Sequence, residues 1–206
     1  MERFTKTIVT RTINGVENVK RDEWKLNGKL HNDTTDDANN TLPAVIEYYN
    51  SGNVWRKEWW VNGLHYRLDV DPDTSRLMPR RIAYYENGNI MDKSWCTEGH
   101  GYMSQGKNPK TGYYYPNSEL YYESGKLQCE QWMDDFRTYR MDIDRTTGES
   151  LPCVIYYYEN GNFASVIFNS FRGSPAVEYD KKSGHALPSA IFYYENCKPY
   201  QSKVKK

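Results

Sequence analysis

Short apolar runs alternate with polar turn residues along the whole chain. Pro152-Cys153-Val154-Ile155-Tyr156-Tyr157-Tyr158 is rich in β-branched and aromatic residues, the composition of a strand. Glu159-Asn160-Gly161-Asn162 follows. Asn-Gly between two such runs predicts a hairpin with a type I′ turn, whose two central residues need positive φ. The returning strand begins apolar two positions past the glycine, at Val54, Ile90, Leu127 and Phe163 in successive copies. An aromatic residue lands seven positions past it, at Trp59, Trp95, Trp132 and Phe168, and Trp24 extends this ladder backwards. These two landmarks differ in parity, so the returning strand is expected to be bulged, bent or covered on both faces.

The pattern repeats. Pro43, Pro79, Pro116, Pro152 and Pro188 are separated by 36, 37, 36 and 36 residues. Each precedes a tyrosine pair: Tyr48-Tyr49, Tyr84-Tyr85, Tyr121-Tyr122, Tyr157-Tyr158 and Tyr193-Tyr194. A fixed period in this range marks a repeat array. Further turns are predicted at Asn27-Gly28 and Asn62-Gly63, and at Asn108 to Gly112, Asp144 to Gly148 and Asp180 to Gly184. No helical stretch intervenes. The prediction is an all-β fold, an elongated open antiparallel array of stacked β-hairpin repeats with a period of about 36 residues. Residues 43–78, 79–115, 116–151 and 152–187 are full repeats; 1–42 read as a degenerate N-terminal repeat and cap, 188–206 as a C-terminal half-repeat and cap. At about 4.8 Å per strand, the stack predicts a rod on the order of 50 Å long.

Parity divides the tyrosine pair. Ile46, Ile82, Ile155 and Ile191 sit two residues before the first tyrosine and share its face. Tyr48, Tyr84, Tyr121, Tyr157 and Tyr193 are therefore expected in the core. Tyr49, Tyr85, Tyr122, Tyr158 and Tyr194 point the other way, to line a second packed face or form an exposed stripe, the candidate interaction surface. One copy has Glu119 in place of isoleucine, and a bulge or slip is expected near it.

Lys plus Arg and Asp plus Glu number 27 each, so no global field favours nucleic acid, a membrane or an acidic substrate. The chain is polar yet 15% aromatic, with 19 tyrosines, which suits a thin core shared among small units. No apolar run has the length of a membrane-spanning helix, and the first residues lack a signal peptide's apolar segment. A cytoplasmic location follows as an expectation. Cys96, Cys129, Cys153 and Cys197 fall at four different repeat positions, which predicts free thiols.

Candidate chemistry is sparse. His31, His65 and His100 recur about once per repeat and invite a metal or proton-relay reading, but copied packing residues explain them better. His185 has no evident partner. Asp69, Asp71 and Asp73 imitate the start of a calcium loop, yet Thr74 and Arg80 stand where its Gly and Glu belong. There is no nucleophile elbow and no phosphate-binding glycine loop. The turn-flanking Glu86, Glu123, Glu159 and Glu195 form no acid–base pair by spacing. Lys198, Lys203, Lys205 and Lys206 read as a solubilising tail. The expectation is no enzyme, no cofactor and no metal.

Trp24-Lys25-Leu26-Asn27-Gly28-Lys29-Leu30-His31 and Trp59-Trp60-Val61-Asn62-Gly63-Leu64-His65, with the Tyr-Tyr-Glu-Asn-Gly-Asn runs at 84–89 and 157–162, resemble the MORN repeat over roughly residues 18–198. That family's unit is a short hairpin built around Tyr, Trp and Gly. This chain's period is longer than the family's, through a loop before the proline that is often Asp-rich. The long form, with Leu-Pro opening three strands, is similar to arrays of marseillevirus-type giant DNA viruses. The resemblance implies a MORN-like solenoid, and a host-cytoplasm or virion location if the chain is viral.

The leading functional expectation is a non-catalytic repeat scaffold for protein–protein interaction or self-assembly, with a protein or a second copy as partner. A peripheral module for anionic membrane surfaces is the second reading, weakened by the neutral charge. The third is a small ligand held between aromatic repeats, which choline-binding arrays resemble. Neither nucleic acid nor a small-molecule substrate is expected.

Overall fold

The computed structural model describes residues 3–13, 16–95, 106–134, 137–138, 140, 142–168, 170–171, 174–175, 188–193, 195–196 and 199–204. Every regular element among them is a strand, and every strand pair is antiparallel. The chain forms two compact units.

The first unit comprises Met1–Thr97 and Glu123–Gly125. Its ladder runs β1 (Phe4–Ile13), β2 (Val16–Leu26), β4 (Val45–Tyr48), β5 (Val54–Glu58), β8 (Arg81–Tyr84) and β9 (Ile90–Ser94). β3 (Lys29–Leu30) adds to β2, and β6 (Trp60–Val61) pairs with β7 (Leu64–His65). The second unit comprises Glu98–Tyr122 and Lys126–Lys206. Its ladder runs β10 (Ser118–Tyr121), β11 (Leu127–Gln131), β14 (Val154–Tyr157), β15 (Phe163–Ile167), β18 (Pro188–Tyr193) and β19 (Pro199–Val204). Two small hairpins accompany it: β12 (Met133–Asp134) with β13 (Arg137–Thr138), and β16 (Ser170–Phe171) with β17 (Ser174–Pro175). Among the described residues β1 pairs with β2 alone and β19 with β18 alone, so neither ladder closes on itself.

The parity conflict read from the sequence is resolved by a bulge repeated in every main hairpin. Tyr48 pairs with Val54 but Glu47 with Arg56, so Trp55 is an extra residue. Met91, Gln128 and Ala164 are extra in the same way. One inserted residue flips the alternation between the first apolar residue of the returning strand and the ladder tryptophan. The copy carrying Glu119 keeps this register, with Glu119 opposite Glu130, so no slip occurs in that hairpin.

The predicted turn type at the tyrosine pairs is corrected. The Tyr85 N–H donates to the Asn89 carbonyl and the Gly88 N–H to the Tyr85 carbonyl, which makes a three-residue loop. Only the glycine is left-handed, with φ of 90°, 89°, 84° and 86° at Gly52, Gly88, Gly125 and Gly161, while Asn87 and Asn160 keep negative φ. This is the glycine-bulge form of hairpin, which serves the strand twist as well as a type I′ turn does. True two-residue turns occur at Asn27-Gly28 and Asn62-Gly63, where both residues have positive φ.

The loops before each proline are folded too. Isolated bridges close them at Thr35–Thr41, Val70–Leu77, Lys107–Tyr114 and Ile143–Ser150. The residue after each proline is buried: Ala44, Arg80, Asn117 and Cys153. The buried strand residues Val45, Ala83, Val154 and Ala190 lie on the face opposite the isoleucines and first tyrosines. In the second unit that face carries an apolar cluster of Cys129, Cys153 and Val154 with Leu120, Tyr156 and Ile167. In the first unit it carries charge: Arg21 bridges Glu23 and Glu47, and Arg56 bridges Glu47 and Glu58.

Candidate functional site

The ladder tryptophans organise the polar interior. Trp59, Trp95 and Trp132 are buried. Their indole N–H groups donate to the carbonyls of Thr41, Leu77 and Tyr114, each 18 residues upstream, at 2.7, 2.6 and 2.9 Å. Each indole thus ties the end of its hairpin to the loop before it and satisfies a carbonyl that burial would otherwise leave unpaired. Trp24 and Phe168 at the two ends are half-buried.

A guanidinium lies over each buried indole. Arg67 is 4.0 Å from the Trp59 ring centre and Arg140 is 3.9 Å from that of Trp132, while Arg76 from the preceding loop is 3.7 Å from Trp95. Arg67 pairs with Asp69 at 2.6 Å and Arg140 with Asp142 at 3.0 Å. The same arginines donate to the carbonyls of Pro79 and Pro152. The carboxylates in turn accept the backbone N–H groups of Thr41 and Tyr114, one repeat earlier. Buried charges tolerate desolvation only when paired and hydrogen-bonded in this manner. Burial alone would raise the Asp69 carboxyl, but the Thr41 hydroxyl and the Arg67 guanidinium outweigh it and hold it below the ordinary carboxylate value. In the first copy Asn32 takes the arginine's place and donates to the Pro43 carbonyl.

These arginines were not singled out in the sequence. The available signal was an Arg eight residues, and an Asp ten residues, past the ladder tryptophan in two copies. The Asp-rich loops acquire distinct parts: Asp69 and Asp142 close the Arg pairs, whereas Asp71 and Asp144 accept two turn N–H groups each. Those turn bonds hold the Asp71 and Asp144 carboxyls below their ordinary value.

Both tyrosine columns are half-buried. In the second, the Tyr49, Tyr122 and Tyr158 hydroxyls donate to the carbonyls of Tyr84, Tyr157 and Tyr193 in the next hairpin, at 2.7, 2.8 and 2.8 Å. The hydroxyl end of this candidate stripe is spent on stitching repeats, leaving the rings as its presentable part. Tyr85 is half-buried in the same column, and Tyr194 lies outside the described residues. In the first column, Tyr121 donates to Glu119 at 2.5 Å and Tyr157 to Glu130 at 2.6 Å. Burial first, and then the Glu130 carboxylate, push the Tyr157 phenol well above its usual value, so it stays protonated. The hairpin turns are laced as well: Asn53, Asn89 and Asn162 donate to the carbonyls of Glu86, Glu123 and Glu195. Lys126 stands in that position in the third copy, beside a shallow groove lined by Leu127, Tyr157, Glu159 and Asn160.

Trp55, the bulge residue, is 37% exposed. Its ring lies 6.5 Å from that of Tyr49, and the Arg56 guanidinium sits 5.0 Å from its centre. Other apolar side chains in the open are Leu64, Leu68, Val70 and Ile143.

His31 and His65, the two histidines among the described residues, make different contacts. The Nδ1 atom of buried His31 accepts the Asn62 N–H, whereas His65 stacks on Trp60 with ring centres 4.6 Å apart and bonds the Arg80 carbonyl. Burial depresses the His65 imidazole below its usual value. His100 and His185 lie outside the described residues, as do Cys96 and Cys197. Cys129 and Cys153 are buried free thiols, and burial pushes Cys129 up to about 11. Among the described residues no group of three or more His, Cys, Asp or Glu side chains is placed to hold a metal ion, and no helix is long and apolar enough to cross a membrane. No protein-family model matches the chain, and no curated protein matches it.

Proposed function

We propose that this chain is a non-catalytic repeat scaffold that mediates protein–protein interaction or self-assembly. The observation that carries the reading is the Tyr49, Trp55 and Arg56 patch, an exposed aromatic residue flanked by a second ring and a guanidinium. Trp, Tyr and Arg are the residue types that dominate the binding energy of protein interfaces. The repeated polar groups point the same way. Indole N–H, guanidinium, carboxylate and tyrosine hydroxyl are engaged in holding one repeat to the next, which is architectural work. In this reading the repeats form an open MORN-like array of about 36-residue period. The likeness to marseillevirus-type arrays extends it to a viral-particle or infection-associated role. Crosslinking with mass spectrometry, comparing the natural chain with Trp55→Glu, tests the proposal. Crosslinks to a protein partner that vanish in the variant, or crosslinks between copies in either chain, support it; no crosslinks in either chain would sink it.

A further inference from the structure

The described junctions between successive hairpins obey one rule. A returning strand receives the outgoing strand of the next hairpin in antiparallel register, over β2–β4, β5–β8, β11–β14 and β15–β18. In these four junctions the central outgoing residue is isoleucine: Asp22 faces Ile46, Lys57 faces Ile82, Glu130 faces Ile155 and Val166 faces Ile191, while β10 carries Glu119 at the same position of its hairpin. The returning residue varies freely. The junction therefore rests on main-chain pairing, with isoleucine as the outgoing residue in these four, the mode in which an extended segment adds to a sheet edge.

β1 and β19 each carry one half of such a junction. Within its hairpin Ile8 pairs with Asp22, as Ile46 pairs with Lys57 and Ile82 with Lys93. Ile8 is thus the isoleucine of an outgoing strand, and it is 52% exposed, whereas Ile46, Ile82, Ile155 and Ile191 are half-buried. Val9 beside it is 43% exposed. At the other end Ile191 pairs with Ser202, which places Ser202 at the junction position of a returning strand.

We propose that the β1 edge of one copy receives β19 of a second copy, antiparallel, with Ile8 opposite Ser202 of the second copy. This names the partner within the scaffold reading and rests on it. In that register Thr7 faces Lys203, Val9 faces Gln201 and Lys6 faces Val204, so no like charges are directly opposed, which cross-strand pairing disfavours. Pairing β1 with β1, or β19 with β19, would join two outgoing or two returning strands, a combination that no described junction uses. A head-to-tail contact of this kind is heterologous and does not stop at two copies by symmetry.

The test is sedimentation velocity of the full chain over a hundredfold concentration range, with two edge-blocked variants. Ile8→Lys blocks β1 and Ser202→Pro blocks β19, each first checked for unchanged circular dichroism and melting. Val204→Lys, which sets a second lysine against Lys6, replaces Ser202→Pro where the proline costs the fold. The expected result is oligomers beyond dimer for the natural chain, growing with concentration. Each variant alone stays monomeric, and an equimolar mixture of the two forms a one-to-one dimer through the intact edges. A monomeric natural chain overturns the proposal, as does self-association by either variant alone. Crosslinks to a different protein by a natural chain that stays monomeric would leave the scaffold reading standing and remove this one.

Discussion

Trp132→Ala is the most demanding test of what holds the second unit together. Trp132 is 4% exposed, donates to the Tyr114 carbonyl and lies under the Arg140 guanidinium. Truncating a buried Trp costs about 3–5 kcal/mol through lost transfer energy and the cavity left behind. The orphaned Tyr114 carbonyl adds about 1–3 kcal/mol, and loss of the ring beneath Arg140 about 1–2 kcal/mol. These losses share one site and do not add fully, so about 4–6 kcal/mol is expected in all. Trp132→Phe keeps most of the burial and isolates the hydrogen bond, at about 1–3 kcal/mol. Trp55→Ala, at the half-open bulge, should cost less than about 1 kcal/mol. Urea unfolding followed by circular dichroism gives the midpoints, and native-state hydrogen exchange shows whether amides of the second unit lose protection selectively. Equal effects of Trp132→Ala and Trp55→Ala would refute the reasoning, since the column would then contribute no more than surface residues do.

Ser75 holds φ of 56° where Gly112 and Gly148 close the corresponding turns, so Ser75→Gly should raise stability by about 1 kcal/mol; a lowered melting temperature would show that the serine side chain matters more than its backbone strain. Lys126→Asn restores the rung that Asn53, Asn89 and Asn162 supply elsewhere and should add about 0.5–1.5 kcal/mol, visible as a higher urea midpoint. His65 has a pKa lowered by burial, so the unfolded chain takes up the proton first. Its contribution is full above about pH 6.5 and is lost as pH falls from there through the folded-state value. His65→Phe, which keeps the ring against Trp60, should flatten the dependence of the urea midpoint between pH 8 and 5, and an unchanged slope counts against the assignment. Cys129 and Cys153 should resist an aromatic disulfide reagent at pH 8 until the chain unfolds, with modification mapped by peptide mass spectrometry. Rapid labelling of either in the native state would contradict their burial.

Much of the local architecture was legible because it is written in short-range chemistry. Asn-Gly at 27–28 and 62–63 adopts the left-handed pair that a two-residue turn needs. The parity conflict between Val54 and Trp59 announced a bulge, and Trp55 is the inserted residue. At the tyrosine pairs the same dipeptide reading failed. Asn-Gly also fits a three-residue loop in which Gly alone is left-handed, and the bond between Tyr85 and Asn89 selects that form. Glu119 looked like a disruption, yet it keeps the register of the other hairpins and accepts the Tyr121 hydroxyl.

The candidate surface was legible as a column and not as a set of contacts. Spacing put Tyr49, Tyr85, Tyr122 and Tyr158 on one face, but the hydroxyl partners of Tyr49, Tyr122 and Tyr158 are carbonyls 35 residues away, a distance no local pattern encodes. Arg67 and Arg140 were invisible for a related reason. An arginine in a polar loop looks solvated until an indole 8 residues earlier and a carboxylate 2 residues later close around it.

By itself the sequence determined the class of element, the positions of the described turns and the parity of each strand, because these depend on backbone preferences within a few residues. Only the tertiary structure decided which face of the sheet is covered. Parity relates side chains to one another without saying where the neighbours lie, and burial on the face opposite the first tyrosines depends on how the loops fold back. It also decided that the repeated tryptophans, tyrosines and aspartates serve junctions between repeats, since a hydrogen bond's partner is set by the three-dimensional register and not by distance along the chain.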